Sequence, residues 1–131
     1  MKNLIYILIF IPSFIFSQET KNMQFVGVRN IHLNKSINSS EEILNFEIQE
    51  GIIYKIISLS HSNTGYDSPN KIFLDGDCIL YNERDNEILS DFQVQLPLFI
   101  EAGLHQMEVQ GSWNLECQGT LYGLEFKLTT P

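Results

Sequence analysis

Glu50-Gly51-Ile52-Ile53-Tyr54-Lys55-Ile56-Ile57-Ser58-Leu59-Ser60 is the stretch whose reading decides the fold. Glu50-Gly51 is a turn signal. The β-branched and aromatic residues that follow keep no helical period. Alternation places Tyr54, Ile56 and Ser58 on one face and Ile53, Lys55, Ile57 and Leu59 on the other. Both faces are largely apolar, which predicts a central strand covered on each side.

The same pattern recurs in both directions. Met23 to Leu33 predicts a first strand, bent near Arg29-Asn30, and Ile43 to Ile48 alternates as Leu44, Phe46, Ile48. Ile72 to Leu74 and Cys78 to Tyr81 flank Asp75-Gly76, a two-residue hairpin signal. Phe92, Val94 and Leu96 alternate up to Pro97, and Leu98 to Ile100 resumes the strand. His105 to Val109 and Leu121 to Leu128 complete the set. Asn34 to Ser40, Ser60 to Asn70, Asn82 to Glu87 and Gly111 to Asn114 read as loops. About eight or nine strands at this spacing predict an all-β domain, an antiparallel β-sandwich. The apolar strand residues from Phe25 to Phe126 are expected to be its core, with Tyr122, Leu124, Phe126 and Leu128 facing one way.

The N-terminus has a different composition. Met1-Lys2-Asn3 precedes an apolar run from Leu4 to Ile11, closed by Pro12-Ser13-Phe14-Ile15-Phe16-Ser17. A basic start, a short apolar centre and a small residue at the end are the parts of a secretory signal peptide. A spanning helix needs about 20 apolar residues. The run to Phe16 is shorter and is interrupted by Pro12 and Ser13, so no membrane span is expected after cleavage. Residues 1–17 are read as the leader and 18–131 as one mature domain, secreted, periplasmic or held at the cell surface.

Eight Lys and Arg stand against sixteen Asp and Glu, a net charge of −8. Loss of Lys2 with the leader leaves seven basic residues and a charge of −9. Such a surface repels the phosphate backbone, so nucleic acid is excluded as a partner class. Neutral glycans, basic proteins and divalent cations are the compatible partners. Two cysteines in an exported chain predict one disulfide, Cys78 to Cys117. Closing that loop would restrain the unfolded chain by about 4 kcal/mol.

Leu96-Pro97-Leu98-Phe99-Ile100-Glu101-Ala102-Gly103-Leu104-His105-Gln106-Met107-Glu108-Val109 resembles a segment of jelly-roll sandwiches, in which a strand ends in an Ala-Gly turn and returns as an alternating strand. Glu50 to Ile56 is similar to a hairpin opening in the same proteins. These include carbohydrate-binding modules and small exported bacterial domains. The resemblance covers about a quarter of the mature chain and contains strand and turn residues rather than ligand contacts. It implies a jelly-roll-like sandwich, with glycan as the first ligand class and calcium as a structural ion.

Trp113, in Gln110-Gly111-Ser112-Trp113-Asn114, is the leading candidate for ligand contact. An indole on a loop can stack on a sugar ring while neighbouring polar groups bind its hydroxyls. Tyr66 is the second platform, with Tyr81 and Tyr122 as extensions, and Asn63, Asp67 and Asn114 are the hydrogen-bonding partners. The plainer alternative is a tryptophan that plugs one end of the sandwich. Asp75 and Asp77 are the candidate calcium ligands, against an ordinary role as turn residues. No two of His32, His61 and His105 have zinc-site spacing. Ser62, His61 or His105, and Asp67 supply the residue types of a triad without a nucleophile elbow. The expectation is therefore a non-enzymatic binding domain at or beyond the cell surface. The alternatives are an accessory subunit of an envelope assembly, with an envelope protein as partner, and a small secreted hydrolase.

Overall fold

The computed structural model describes residues 22–129 except 64–69 and 86–87, and leaves the side chains of 63 and 82–90 undescribed. The leader read over residues 1–17, Tyr66, Asp67 and the side chain of Asn63 therefore lie outside the described residues. Among the described residues no helix is long and apolar enough to cross a membrane.

Among the described residues nine strands follow in chain order: β1 (Asn22–Lys35), β2 (Glu41–Ile48), β3 (Ile52–Asn63), β4 (Asn70–Leu74), β5 (Asp77–Asp85), β6 (Ile88–Gln93), β7 (Leu98–Ile100), β8 (Gly103–Gln110) and β9 (Cys117–Thr129). They form a four-stranded sheet, β1-β9-β3-β7, and a five-stranded sheet, β2-β8-β4-β5-β6. All pairs are antiparallel. The pairing is nested: β1 with β9, β2 with β8, β3 with β7, β4 with β5. A two-stranded ribbon folded at its middle and wrapped around a core gives this nesting. The fold is a jelly-roll β-sandwich.

Tyr54, Ile56, Ile72, Met107, Val109 and Leu121 are fully enclosed between the sheets. The Tyr54 hydroxyl donates to the Arg29 carbonyl at 2.8 Å, which satisfies the one polar atom of a buried ring. Burial pushes this phenol up to about 12, against the pull of nearby Arg29. The Arg29 guanidinium donates to the Glu47 carbonyl at 2.8 Å and pairs with Glu125 at 3.1 Å, tying the two sheets at one end.

Several sequence expectations need correction. In β3 a bulge falls between Ile56 and Ser58. The extra residue, Ile57, shifts the alternation, so Ser58 leaves the inner face and Leu59 packs against the core. In β1 the irregularity lies at Val26, between Phe25 and Gly27, and not near Arg29-Asn30. The charged segment read as a turn from Asn82 is strand through Asp85, paired with β6.

The last strand is the largest departure. Its core side carries Cys117, Gly119, Leu121 and Gly123, whereas Tyr122 is exposed and Leu124, Phe126 and Leu128 are half-buried. The alternating apolar set faces outward. Three of these inner positions, Cys117, Gly119 and Gly123, are small because larger side chains from elsewhere fill the space. A Cβ on Gly119 would stand 2.9 Å from both Ile72 Cδ1 and Val109 Cγ2, and one on Gly123 would stand 2.1 Å from the Tyr54 ring.

The expected disulfide is absent: Cys78 and Cys117 are both free thiols. Cys78 opposes Phe73 in the β4–β5 hairpin, at the far end of β4. Cys117 packs against Gly111, beside Asn70 at the near end of β4. Three residue steps along the strand lead from Asn70 to Phe73, about 10 Å. A disulfide requires Cα atoms within about 7 Å. Burial pushes the Cys117 thiol up in pKa, against the pull of the Lys35 ammonium.

Candidate functional site

The end of the sandwich where β1, β3 and β8 finish and β4 and β9 begin carries those sequence-predicted ligand positions that are described. Trp113 and Asn114 lie on the β8–β9 loop, and Asn63 closes β3 opposite Cys117. The structure therefore groups three of the five candidates at one end.

Trp113 does not plug the sandwich. It is 62% exposed, more than any other aromatic residue among those described. Its loop is nevertheless held in place. The Trp113 carbonyl accepts from the Asn38 amide at 2.8 Å, and the Gly111 amide donates to the Ser40 carbonyl at 3.0 Å. These two bonds staple the β8–β9 loop to the β1–β2 loop.

Beneath both loops lies Lys35, an enclosed side chain that sequence reasoning missed. It occupies an inward position of β1, in series with Ile31 and Leu33. Its ammonium donates to the carbonyls of Ser36, Ser39, Ser112 and Leu115 at 2.5 to 3.1 Å. An ammonium has three protons and no acceptor, so a ring of carbonyls is the chemistry that satisfies it. Two of those carbonyls flank Trp113 on either side. The signal in the sequence was Lys35 at the inward phase of an alternating strand, in a segment read as a loop.

Two grooves border the tryptophan loop. One of about 290 Å³ is lined by Ser40, Glu41, Lys71, Gln110 and Gly111. The other, of about 190 Å³, is lined by Asn34, Lys35, Ser36, Glu116, Cys117 and Gln118. Both offer hydroxyl, amide and carboxylate groups next to the ends of the loop that carries Trp113. Glu41 is held above the usual carboxylate range by hydrogen bonding to Glu108 and the repulsion of its charge. The apolar flank is Ile37, half exposed on the facing loop.

The other candidate residues are placed elsewhere. Asp75 and Gly76 are the central pair of the β4–β5 hairpin, with φ of 51° and 85°, at the opposite end of the sandwich. Positive φ at both positions is what a two-residue type I′ turn requires. Asp75 Oδ1 accepts from the Gln106 amide at 2.8 Å and Oδ2 from His105 Nδ1 at 2.6 Å. Among the described residues no three His, Cys, Asp or Glu side chains gather as a metal site, and Asp77 joins no such group.

The three histidines do not converge. His32 bonds Thr120 and Asn34, the two contacts lying on β9 and β1, and His61 Nδ1 accepts from the Asn70 side-chain Nδ2 at 3.3 Å. His105 lies between Asp75 and the Glu101 carbonyl, at 2.6 and 2.7 Å. This scatter counts against a hydrolytic centre among the described residues. Burial alone would lower the His105 pKa, but its bonds to Asp75 and Glu101 outweigh that and hold it above 6.5. The stabilisation is complete below pH of about 6.5 and is lost as pH rises through the higher folded-state value. Urea midpoints measured across this range should fall toward alkaline pH, and His105→Gln should flatten that slope.

Compared with family models, characterised proteins and solved structures, the chain has no match.

Proposed function

We propose that the protein is an exported, non-enzymatic binding domain whose ligand is a neutral glycan. The observation that carries this reading is Trp113: an exposed indole on a loop whose carbonyls are tied to a buried ammonium and to the facing loop. A loop whose backbone is already held in place loses less entropy when a ligand stacks on the aromatic side chain it carries. Sugar rings present apolar C–H faces to the indole and hydroxyls at their rims. Ser40, Gln110 and Glu41 line the groove on one side, and Asn34, Ser36 and Gln118 the groove on the other. Asn114, Asn63, Tyr66 and Asp67 remain the proposed further contacts, and a calcium ion at Asp75 and Asp77 is not needed for this reading.

The test is a glycan array probed with the chain from Gln18 onward, which carries the whole sandwich. Binding to uncharged glycans is expected. Trp113→Ala should weaken it at least about tenfold, which is 1.4 kcal/mol, while leaving the circular dichroism spectrum unchanged. Binding that Trp113→Ala does not alter would sink the proposal.

A second reading is an accessory subunit of a cell-surface assembly. It is favoured by one specific observation, the apolar residues exposed on the four-stranded sheet.

A further inference from the structure

The outer face of the four-stranded sheet is divided in two along β9. At one end its rows are Met23–Leu128, then Phe25–Phe126–Ile53, then Val28–Leu124–Lys55–Phe99. Val28 is 69% exposed and Phe25 56%, and Met23 and Phe99 are about half exposed. Phe25 and Phe126 meet edge to face at 5.9 Å, and the Lys55 ammonium lies 5.8 Å over the Phe99 ring. Past Tyr122 the rows change to Asn30–Tyr122–Ser58, His32–Thr120–Ser60 and Asn34–Gln118–Ser62. Hydrogen bonds within these rows join His32 to Thr120 and Ser60 to Tyr122.

We propose that this face is the contact surface between two copies of the chain. An apolar patch of this kind on an exported domain marks an interaction site. Its charge selects the occupant. In a chain of net charge −8, these rows contain no carboxylate, and Lys55 is their one fixed charge. The outer face of the five-stranded sheet carries Glu41, Glu47 and Glu108. A basic partner would be drawn to that second face. Two acidic molecules approach each other with least repulsion through the carboxylate-free one.

Geometry points the same way. Among the described residues β1 pairs only with β9, and the apolar rows run from this edge of the sheet across to β7. A two-fold axis running across the strands at the Phe25–Phe126–Ile53 row lays that row on its own image and sets the Val28–Phe99 row of one copy over the Met23–Leu128 row of the other. Lys55 stands one row, about 7 Å, to the side of that axis, which keeps the two ammonium groups apart. Five side chains with about half of their surface open, Ile57 being the fifth, give roughly 500 Å² per copy. A symmetric pair then buries about 1,000 Å² from these side chains, the size at which specific interfaces begin. The uncharged rows meet their own image, as an isologous contact requires. The Trp113 loop lies outside this contact.

Sedimentation equilibrium of the chain from Gln18 onward, from micromolar to near-millimolar concentration, tests the proposal. The expected result is a concentration-dependent dimer. Val28→Asp and, separately, Phe99→Lys should weaken it at least about tenfold, with unchanged circular dichroism, while Leu104→Asp on the other sheet should not. A monomer at every concentration would overturn the proposal. So would a dimer that both Val28→Asp and Phe99→Lys leave intact.

Discussion

Gly123→Ala should destabilise the sandwich by about 3 to 4 kcal/mol, close to the upper range for overpacking a core. An added Cβ would stand 2.1 Å from Tyr54 Cε2, 2.2 Å from Cζ and 2.5 Å from the hydroxyl. Real atoms do not approach so closely, so something must move. The Tyr54 ring has no exposed surface, and its hydroxyl is fixed to the Arg29 carbonyl at 2.8 Å. Displacing the ring therefore costs packing and a buried hydrogen bond together, the second about 1 kcal/mol. Thermal unfolding should show a midpoint lower by roughly 10 to 20 °C. Replacing Tyr54 by Leu in the Gly123→Ala background should recover part of the loss. If the single substitution leaves the midpoint unchanged, the close approach of β3 to β9 is misdescribed.

Lys35→Met should cost about 3 kcal/mol. Methionine keeps the length of the stem and removes the charge, so packing is nearly conserved. What is lost is the donor to the carbonyls of Ser36, Ser39, Ser112 and Leu115. Those oxygens lie under two loops and have been turned inward by the ammonium. Urea titration reads the stability loss. Hydrogen exchange of the Asn38 amide reads the local effect, because its acceptor is the Trp113 carbonyl. Faster exchange is expected there, with glycan affinity reduced although Trp113 is untouched. A variant as stable as the parent, with unchanged Asn38 protection, would show that Lys35 does not hold the site.

The fold was legible because most strands announce themselves by alternation and most turns by their residues. Asp75-Gly76 is the clearest case: the dipeptide and its positive φ values agree. Which face of a strand is inner was less legible. Alternation reports that two faces differ, not which one meets the core. On β9 the outward face is the apolar one, and the inward face is small because Tyr54, Ile72 and Val109 come to meet it. Nothing local to residues 117–129 encodes that. Bulges had the same effect on β3, where the inserted Ile57 reversed the phase after Ile56.

The site was half legible. Trp113 and Asn114 are visible as a polar loop carrying a lone indole. Lys35 was hidden because a lysine in a Ser- and Asn-rich segment reads as solvated, and its partners are backbone carbonyls, which have no sequence signature. The disulfide failed for a related reason. Two cysteines in a chain read as exported are a compositional signal, but bridging depends on where the β4–β5 hairpin ends lie relative to β9.

If Trp113 is a glycan platform, the indole itself reports on it. The chain has one tryptophan, so its fluorescence is that of Trp113 alone. Titration of the folded chain with a panel of neutral oligosaccharides is the direct measurement. A saturable change in emission is expected for at least one neutral sugar, with reduced quenching of Trp113 by acrylamide. Emission and quenching that stay constant across the whole panel would contradict it.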